Sequence, residues 1–217
     1  MTEQSKTHGF PNLKLIDHPV VRHKINLLRD KTLSSKSFRE VIREISVLLT
    51  YEACSGLSTE GFTVSTWCGD FPAERIKENG ISAIPVLRAG LGMTDGFLTV
   101  LPGARVSMIG IQRDEKTAEP GFYFQKFHPS LGEHRCFVLD PMLATGGSLS
   151  ETVARIKQYG AKKIVCLCVI SAPEGVAMMK EKHPDVLIYT AALDEKLDKN
   201  KFIVPGLGDA GDRIFNS

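Results

Sequence analysis

The sequence predicts an α/β fold in which a mostly parallel sheet is flanked by helices. From residue 81 onward, short apolar runs alternate with segments of helical periodicity. One of these runs, KIVCLCVI, is almost continuously apolar and rich in β-branched residues, which is typical of a strand buried on both faces. Because ligands of such sheets bind where parallel strands end, the turns that follow the strands are the candidate sites.

The predicted elements follow in chain order. Apolar residues at helical spacing predict a first helix in SFREVIREISVLLTYEA, with Ser37 and Glu40 as a capping box. ISAIPVL is a predicted strand, MTDGFLTVL a helix, and RVSMIGI and CFVLD are further strands. A helix closed by Gly160, the strand KIVCLCVI, a helix from Pro173 and the strand DVLIYTAAL complete the series. Without repeats or a linker, residues 1–217 are predicted to form one domain with an N-terminal arm.

Composition restricts the classes of function. The chain is 42% hydrophobic and 24% charged with a net charge of +2, which gives no reason to expect a nucleic-acid or anionic-membrane partner. No apolar run approaches the ~20 residues that span a bilayer. The first ten residues lack the apolar core of a signal peptide, so a cytoplasmic location is expected. The five scattered cysteines do not indicate a disulfide framework, and Cys166 and Cys168 in KIVCLCVI are expected to be buried thiols and not zinc ligands.

The segment FVLDPMLATGGSLSETVARI, residues 137–156, joins a predicted strand to a predicted helix. Gly146 and Gly147 would let a phosphate approach the free N–H groups at the helix start, and Thr145 and Ser148 add hydroxyl donors. Asp140 would repel a bare phosphate, but a sugar phosphate chelated to Mg²⁺ offers it hydroxyls and metal-bound water. The alternative is that these residues only cap turns and form a tight connection.

Two arginines follow other predicted strands. Arg88 lies in VLRAGLG beside two glycines, and Arg113 ends the strand in GIQRDEK. Two guanidinium groups and a helix N-terminus can together hold a ligand with several phosphates. The alternative is a surface ion pair, for which Asp114 and Glu115 are adjacent to Arg113.

Taken together, these motifs resemble one family. DPMLATGGS is similar to the phosphoribosyl pyrophosphate (PRPP) motif of type I phosphoribosyltransferases, in the form seen in the uracil phosphoribosyltransferase family. VLRAGLGM, EPGFYFQK, SAPEG and PGLGDAGDRIF resemble the same family in the same order, from about residue 18 to the C-terminus, which leaves residues 1–17 as an extension. Pro141 stands where most type I members carry a second acid, and this departure favours uracil over purines or orotate.

The resemblance implies an activity and its partners. The phosphoribosyl group of PRPP would be transferred to N1 of uracil, giving UMP and diphosphate in pyrimidine salvage. Mg²⁺ would arrive on PRPP, with no protein residue as a direct metal ligand. A homodimer or homotetramer and GTP as an effector are also implied. Residues 116–134, rich in aromatic side chains, are the candidate for a flexible hood over the site; the alternative is a hairpin whose aromatic residues pack on a partner subunit.

The resemblance also implies roles for individual residues. Those that would bind PRPP are Arg88, Arg113, Asp140, Pro141, Met142, Leu143, Ala144, Thr145, Gly146, Gly147, Ser148 and Asp209. Those that would bind uracil are Tyr189 at the end of a strand, Ile203, Gly208, Asp209 and Ala210. The catalytic residues among them would be Arg88, Arg113, Asp140 and Asp209. For the glycine-rich FIVPGLGDAGD, the alternative is an ordinary C-terminal loop.

The chain departs from the family pattern at Gln112, at Lys116 and at the terminal Asn216 and Ser217, which bears on loop dynamics or rate. Two rival functions remain at this stage. The first is a regulatory protein that keeps the PRPP fold but binds RNA or DNA, against which the near-neutral charge counts. The second is a phosphoribosyltransferase for another base, against which the Asp-Pro pair and the C-terminal segment count.

Overall fold

The computed structural model of the protein describes residues 9–113 and 120–217. Its strands are β1 (Leu13–Leu15), β2 (Thr59–Thr66), β3 (Gly69–Ile76), β4 (Ile81–Leu87), β5 (Arg105–Val106), β6 (Met108–Arg113), β7 (Pro120–Lys126), β8 (Arg135–Leu139), β9 (Met142–Leu143), β10 (Lys163–Ser171), β11 (Leu187–Leu193), β12 (Lys196–Leu197) and β13 (Ile203–Val204). Its helices are α1 (Pro19–Arg29), α2 (Ser35–Ala53), α3 (Leu91–Val100), α4 (Gly147–Gln158), α5 (Pro173–Lys182) and α6 (Ala210–Phe215).

A nine-stranded sheet forms the centre of the fold. Its main order is β1-β11-β10-β8-β4-β6-β7, with β5 paired to β4 and β9 paired to β10. The pairings are parallel except for that of β6 with β7, which confirms the predicted mostly parallel sheet. Because the parallel strands run in the same direction, β4, β8, β10 and β11 all end at one edge of the sheet. The loops after β4 and β8 and the chain beyond β11 carry most of the predicted site residues.

Helices cover both faces of this sheet. Alternate residues of β10 point to opposite sides, so Val165, Leu167 and Val169 belong to one apolar cluster while Cys166 and Cys168 belong to another. Helices α1, α2 and α3 contribute to the first cluster, and α4 and α5 contribute to the second. The double coverage explains why the KIVCLCVI run is apolar at nearly every position.

Cys166 and Cys168 are buried as predicted, and Cys136 is buried as well. Burial raises the pKa of the Cys136 thiol to about 12, which keeps it protonated. Cys54 is only partly buried, and Cys68 is exposed in the turn between β2 and β3. This turn lies outside both apolar clusters.

The start of α2 differs from the prediction. Ser34 is the N-cap residue, and its hydroxyl accepts a hydrogen bond from the backbone N–H of Ser37 at 3.2 Å. The predicted capping box of Ser37 and Glu40 is therefore wrong by one helical turn. Ser34, three residues earlier, is also a serine and serves as the cap. At the end of α4, Gly160 has a φ of 88°, which confirms it as the residue that closes the helix.

Two hairpins extend the fold, and the first of them was not predicted. Within the described residues, strands β2 and β3 pair only with each other. They are largely exposed and carry Trp67 at their turn with 98% of its surface accessible. Strand β7 pairs antiparallel with β6 and lies within the predicted hood, of which residues 116–119 are outside the described residues. Beyond β7, the ring of Phe127 meets Tyr159 edge-on at 4.7 Å, so this aromatic residue packs against its own chain.

The N-terminal segment takes part in the sheet. Residues 13–15 of the predicted extension form β1, which pairs in parallel with β11. Asn12 continues this pairing because its carbonyl accepts a hydrogen bond from Ile188 N–H at 2.8 Å. Among the helices of the described ranges, none combines the length and apolar character needed to cross a bilayer.

Candidate active site

A cavity of about 350 Å³ lies among the loops that follow β4 and β8 and the chain around β13. A volume of this size is sufficient for a small molecule. Three separate chain segments form its wall, and the lining residues are Arg88, Ala89, Asp140, Met142, Ala144, Lys201, Phe202, Ile203, Gly208, Asp209, Ala210 and Gly211. The fold therefore brings together eight of the predicted site residues from positions more than 120 apart in the chain.

The loop after β4 presents Arg88. The peptide bond between Leu87 and Arg88 is cis. The Gly90 N–H donates to the carbonyl of Val86 at 2.8 Å, so the chain turns sharply at the strand end. A Cβ atom at Gly90 would overlap the carbonyl oxygen of Leu139, which shows that the turn lies directly against β8. Arg88 is exposed at the cavity wall, where its guanidinium can pair with an anion.

The loop after β8 presents Asp140. Burial raises the pKa of this carboxyl to about 7, although the hydrogen bond that its Oδ1 accepts from Met142 N–H at 3.4 Å opposes the shift. Asp140, Met142 and Ala144 face the cavity, whereas Pro141 and Leu143 hold the loop in place. The Pro141 carbonyl accepts from two N–H groups of β10, and the Leu143 side chain lies in the core with 1% exposure.

The start of α4 follows directly. Gly146 is the N-cap residue with a φ of 83°, and a Cβ there would lie 2.9 Å from the carbonyl oxygen of Gly175. The Thr145 hydroxyl accepts from Gly147 N–H at 3.4 Å, and Ser148 is exposed. These residues adjoin the cavity beyond Ala144 without lining it. The arrangement is an exposed helix N-terminus, to which the macrodipole attracts a phosphate.

The C-terminal segment closes the cavity on another side. Gly206 and Gly208 have φ values of 65° and 79°, so the chain makes two left-handed turns between β13 and α6. Asp209 is the N-cap of α6, and its Oδ1 accepts from Asp212 N–H at 3.0 Å. Because glycine has no side chain, the backbone of Gly208 is accessible from the cavity. Main-chain groups at this position can therefore contact a flat ring.

Two predicted residues differ from the rest. Tyr189 lies inside β11 and is 4% exposed in the core, so the prediction that it ends a strand is wrong. Its ring belongs to the apolar cluster beneath the helices, and Tyr189 does not line the cavity. Arg113 ends β6, where its backbone pairs with Pro120, and its side chain lies outside the described residues.

The sequence interpretation missed four residues in the wall of the cavity, Ala89, Lys201, Phe202 and Gly211. Lys201 has a φ of 69°, which follows from the tight turn in which its N–H donates to the carbonyl of Asp198 at 3.0 Å. The sequence DKNK contains the Asp and Asn typical of such turns, and this signal could have placed a lysine beside the site.

The carboxylates of the cavity bear on a metal. Within residues 9–113 and 120–217, no three His, Cys, Asp or Glu side chains gather as they would around a metal ion. Asp140 and Asp209 both line the cavity. Mg²⁺ is typically bound by one or two carboxylates together with water and substrate phosphates, so this pair fits an ion carried by a polyphosphate substrate.

Comparisons with known proteins agree with this geometry. A family model for uracil phosphoribosyltransferase matches residues 15–217. The structure of the AQ2163 protein from Aquifex aeolicus superposes with a TM-score of 0.90 at 36% identity, over 94% of this chain and 97% of that chain. Adenine phosphoribosyltransferase from Trypanosoma brucei, in complex with AMP, pyrophosphate and ribose-5-phosphate, superposes with a TM-score of 0.58 at 12% identity over 86% and 85% of the two chains.

A third structure, the hypoxanthine phosphoribosyltransferase from Trypanosoma cruzi complexed with IMP, has a TM-score of 0.50 at 13% identity over 73% and 75% of the chains. At such low identity the two trypanosomal enzymes show a shared fold, and that fold is the predicted type I phosphoribosyltransferase fold. The family match covers nearly the whole chain and therefore carries the assignment of activity. The chain belongs to the uracil phosphoribosyltransferase family and is a pentosyltransferase that acts in phosphoribosyl transfer for pyrimidine salvage.

Proposed function

We propose that the protein transfers the phosphoribosyl group of PRPP to N1 of uracil in the cavity between Arg88, Asp140 and the C-terminal segment, forming UMP and diphosphate. The observation that carries this proposal is the convergence of three unlike segments on one cavity. One offers an arginine, one offers a carboxylate next to a helix N-terminus, and one offers main-chain groups. These three sets of groups suit a diphosphate, a ribose phosphate and a flat base, which are the parts that the reaction must align.

The PRPP end of the site follows from charge. The 5-phosphate is assigned to Thr145–Ser148 at the start of α4, where free N–H groups and the helix dipole favour an anion. The ribose hydroxyls are assigned to Asp140, with Met142 and Ala144 beside it and with Pro141 and Leu143 as anchors of the loop. The diphosphate is assigned to Arg88 and Arg113, and Asp209 completes the PRPP side.

The uracil end follows from the backbone. Ile203, Gly208 and Ala210 line the cavity, and main-chain groups of this segment can match the fixed order of donors and acceptors on uracil. Cytosine reverses one of these groups, and a mismatched buried polar group costs ~1–3 kcal/mol. We leave Tyr189 out of the assignment because its ring is buried in the core.

The chemistry requires positioning and charge stabilisation. A reacting anomeric carbon acquires oxocarbenium character while negative charge develops on the leaving diphosphate. Arg88 would stabilise that charge, and Mg²⁺ carried by PRPP would offset it further. Water has to be excluded from this centre. Residues 116–134 are proposed as the hood, and its described part, residues 120–134, begins with β7.

Further properties are proposed on the resemblance alone. The protein would act in the cytoplasm as a homodimer or homotetramer, with GTP as an effector. It would act as a single domain in which residues 1–17 are an N-terminal extension. Residues 13–15 of this extension form strand β1, which pairs with β11.

Turnover tests the proposed function. Labelled uracil is incubated with PRPP and Mg²⁺, in parallel with cytosine, hypoxanthine and orotate, each with and without GTP. UMP from uracil, and no nucleotide from the other bases, is the expected result. A preference for hypoxanthine or orotate would overturn the assignment of the base, and PRPP binding without turnover of any base would overturn the assignment of an active enzyme.

A further inference from the structure

An ion pair outside the cavity binds the backbone of the proposed uracil-binding segment, at both the N–H and the carbonyl of one residue. Arg29, the last residue of α1, donates from Nη2 and Nη1 to the two carboxylate oxygens of Asp194 at 2.6 and 2.8 Å. Asp194 Oδ2 also accepts from Gly206 N–H at 2.7 Å. Arg29 Nη1 donates in addition to the Gly206 carbonyl at 2.8 Å. Both main-chain polar groups of Gly206 are therefore bound by this one pair.

The ion pair is shielded from solvent. The Asp194 side chain is 4% exposed and that of Arg29 is 25% exposed. A bidentate arginine–carboxylate pair has a fixed planar geometry, and its hydrogen bonds are stronger than neutral ones. Asp194 is itself held by the sheet, since its N–H donates to the Ser171 carbonyl of β10 at 2.9 Å. Gly206 is thus fixed in position relative to the sheet, through Asp194, and relative to α1, through Arg29.

Gly206 occupies the centre of the proposed uracil-binding segment. Ile203 lies three residues before it and Gly208 two residues after it, and both line the cavity. A Cβ at Gly206 would overlap the Ile203 carbonyl oxygen, so the turn is tightly folded and transmits a displacement of Gly206 to its neighbours. Next to it, the Leu207 carbonyl accepts from Arg213 Nη1 at 2.8 Å, and Arg213 Nη2 donates to the Asp30 carbonyl just beyond α1 at 2.6 Å.

We infer that Arg29 and Asp194 are positioning residues for the base, which set the main-chain groups of Ile203 and Gly208 at the spacing that uracil requires. Neither side chain lines the cavity, so both act through Gly206. This inference rests on the proposed function, because it assumes that the segment reads uracil. It predicts that changes at Arg29 or Asp194 alter the binding of uracil and leave the binding of PRPP largely unchanged. The residues assigned to PRPP lie on the loops after β4 and β8 and at Asp209.

Asp194→Asn is the main test. The amide keeps the shape of the side chain but removes the charge and replaces one acceptor with a donor. One of the two side-chain oxygens therefore no longer accepts hydrogen bonds from Arg29 and Gly206. The KM for uracil is expected to rise about tenfold, which corresponds to the loss of one charge-assisted hydrogen bond. The KM for PRPP is expected to change less than about twofold, and discrimination against cytosine is expected to fall. Arg29→Lys keeps the charge without the planar fork and is expected to give a smaller rise in the KM for uracil.

Glu44→Gln is the matched control. It breaks the ion pair between Lys24 of α1 and Glu44 of α2, whose charged atoms are 2.6 Å apart. Lys24 is on the same helix as Arg29, but this pair does not contact Gly206. Thermal midpoints of all variants are measured beside the kinetics. The control is expected to leave the KM for uracil unchanged even where its midpoint falls.

The outcomes separate the inference from the proposed function. If wild type forms UMP and both Asp194→Asn and Arg29→Lys lower the thermal midpoint without raising the KM for uracil, the pair is a structural tie and the inference is overturned. Should Asp194→Asn fail to fold, the ratio of the two KM values in Arg29→Lys decides. Wild type that forms no UMP overturns the proposed function and the inference together, whereas unchanged variants of an active wild type overturn the inference alone.

Discussion

The guanidinium of Arg88 lies over the ring of Phe215, with its central carbon 5.8 Å from the ring centroid. Arg88 belongs to the loop after β4, and Phe215 is the last residue of α6. The contact therefore joins the proposed diphosphate loop to the end of the C-terminal segment that carries the base-binding residues. Phe215 also directly precedes Asn216 and Ser217, where the sequence departs from the family pattern.

Replacing Phe215 should weaken PRPP binding selectively. Phe215→Leu retains an apolar side chain but removes the ring, and an exposed cation–π contact contributes about 0.5–1 kcal/mol. The KM for PRPP is expected to rise about two- to fivefold while kcat changes little. Steady-state kinetics check this, with Tyr51→Leu as the control because Tyr51 is 72% exposed on α2, away from the cavity. An equal rise in the control would contradict the role given to the ring.

Arg88 itself should matter far more. Arg88→Gln removes a charge from the site where the leaving diphosphate becomes more negative, and the loss of one such group lowers turnover by about 100-fold or more. The measurement is kcat/KM for PRPP at saturating uracil. Arg105→Gln removes an exposed arginine from β5 of the same sheet and should leave the rate unchanged. A loss of less than about tenfold in Arg88→Gln would exclude the proposed role.

Gly146 should tolerate no side chain. Its φ of 83° is unfavourable for alanine by about 1–2 kcal/mol, and the new Cβ would lie 2.9 Å from the Gly175 carbonyl oxygen. Gly146→Ala is therefore expected to lower the free energy of unfolding in urea by at least about 1 kcal/mol and to raise the KM for PRPP. Gly56→Ala is the control, since its Cβ would meet nothing within 4 Å. Equal stability of the two variants would show that the helix start is less constrained than described.

Asp140 should make stability depend on pH. Burial raises its pKa to about 7, so the folded protein retains a proton that the unfolded chain loses above roughly pH 4. Its contribution to the free energy of unfolding is therefore greatest at low pH and is lost as the pH rises through about 7. Asp140→Asn cannot ionise, so the variant should gain stability relative to wild type between pH 5 and pH 8. Urea unfolding of both proteins at pH 5 and pH 8 checks this. A stability advantage of Asp140→Asn that stays constant or falls between these pH values would contradict the raised pKa of Asp140.

The elements with a strong pattern were predictable from the sequence. Strands β4, β8 and β10 lie in apolar runs because both faces of the sheet are covered, and α4 begins at the second of two glycines and ends shortly before a third. The hairpin of β2 and β3 was not predictable in this way because it is largely exposed and contains no continuous apolar run. Strands β12 and β13 have two residues each, which is too short for any periodicity.

The site was predictable in its parts but not in its assembly. Arg88 and Asp140 follow apolar runs, so their place at strand ends could be read from the chain. Tyr189 was misplaced because a tyrosine inside a buried strand and one at its end have similar local sequence. The pair of Arg29 and Asp194 had no sequence signal, since the two residues are 165 positions apart and meet only through the fold.

A crystal structure with bound UMP tests the location of the site most directly. The account predicts the 5′-phosphate against Gly146 and Ser148 at the start of α4, and the uracil ring against Ile203 and Ala210. A second basin of about 740 Å³, lined by Lys31, Arg39 and Arg213 among others, offers positive charge outside this cavity. UMP bound in that basin, with the cavity between Arg88 and Asp140 empty, would contradict the account.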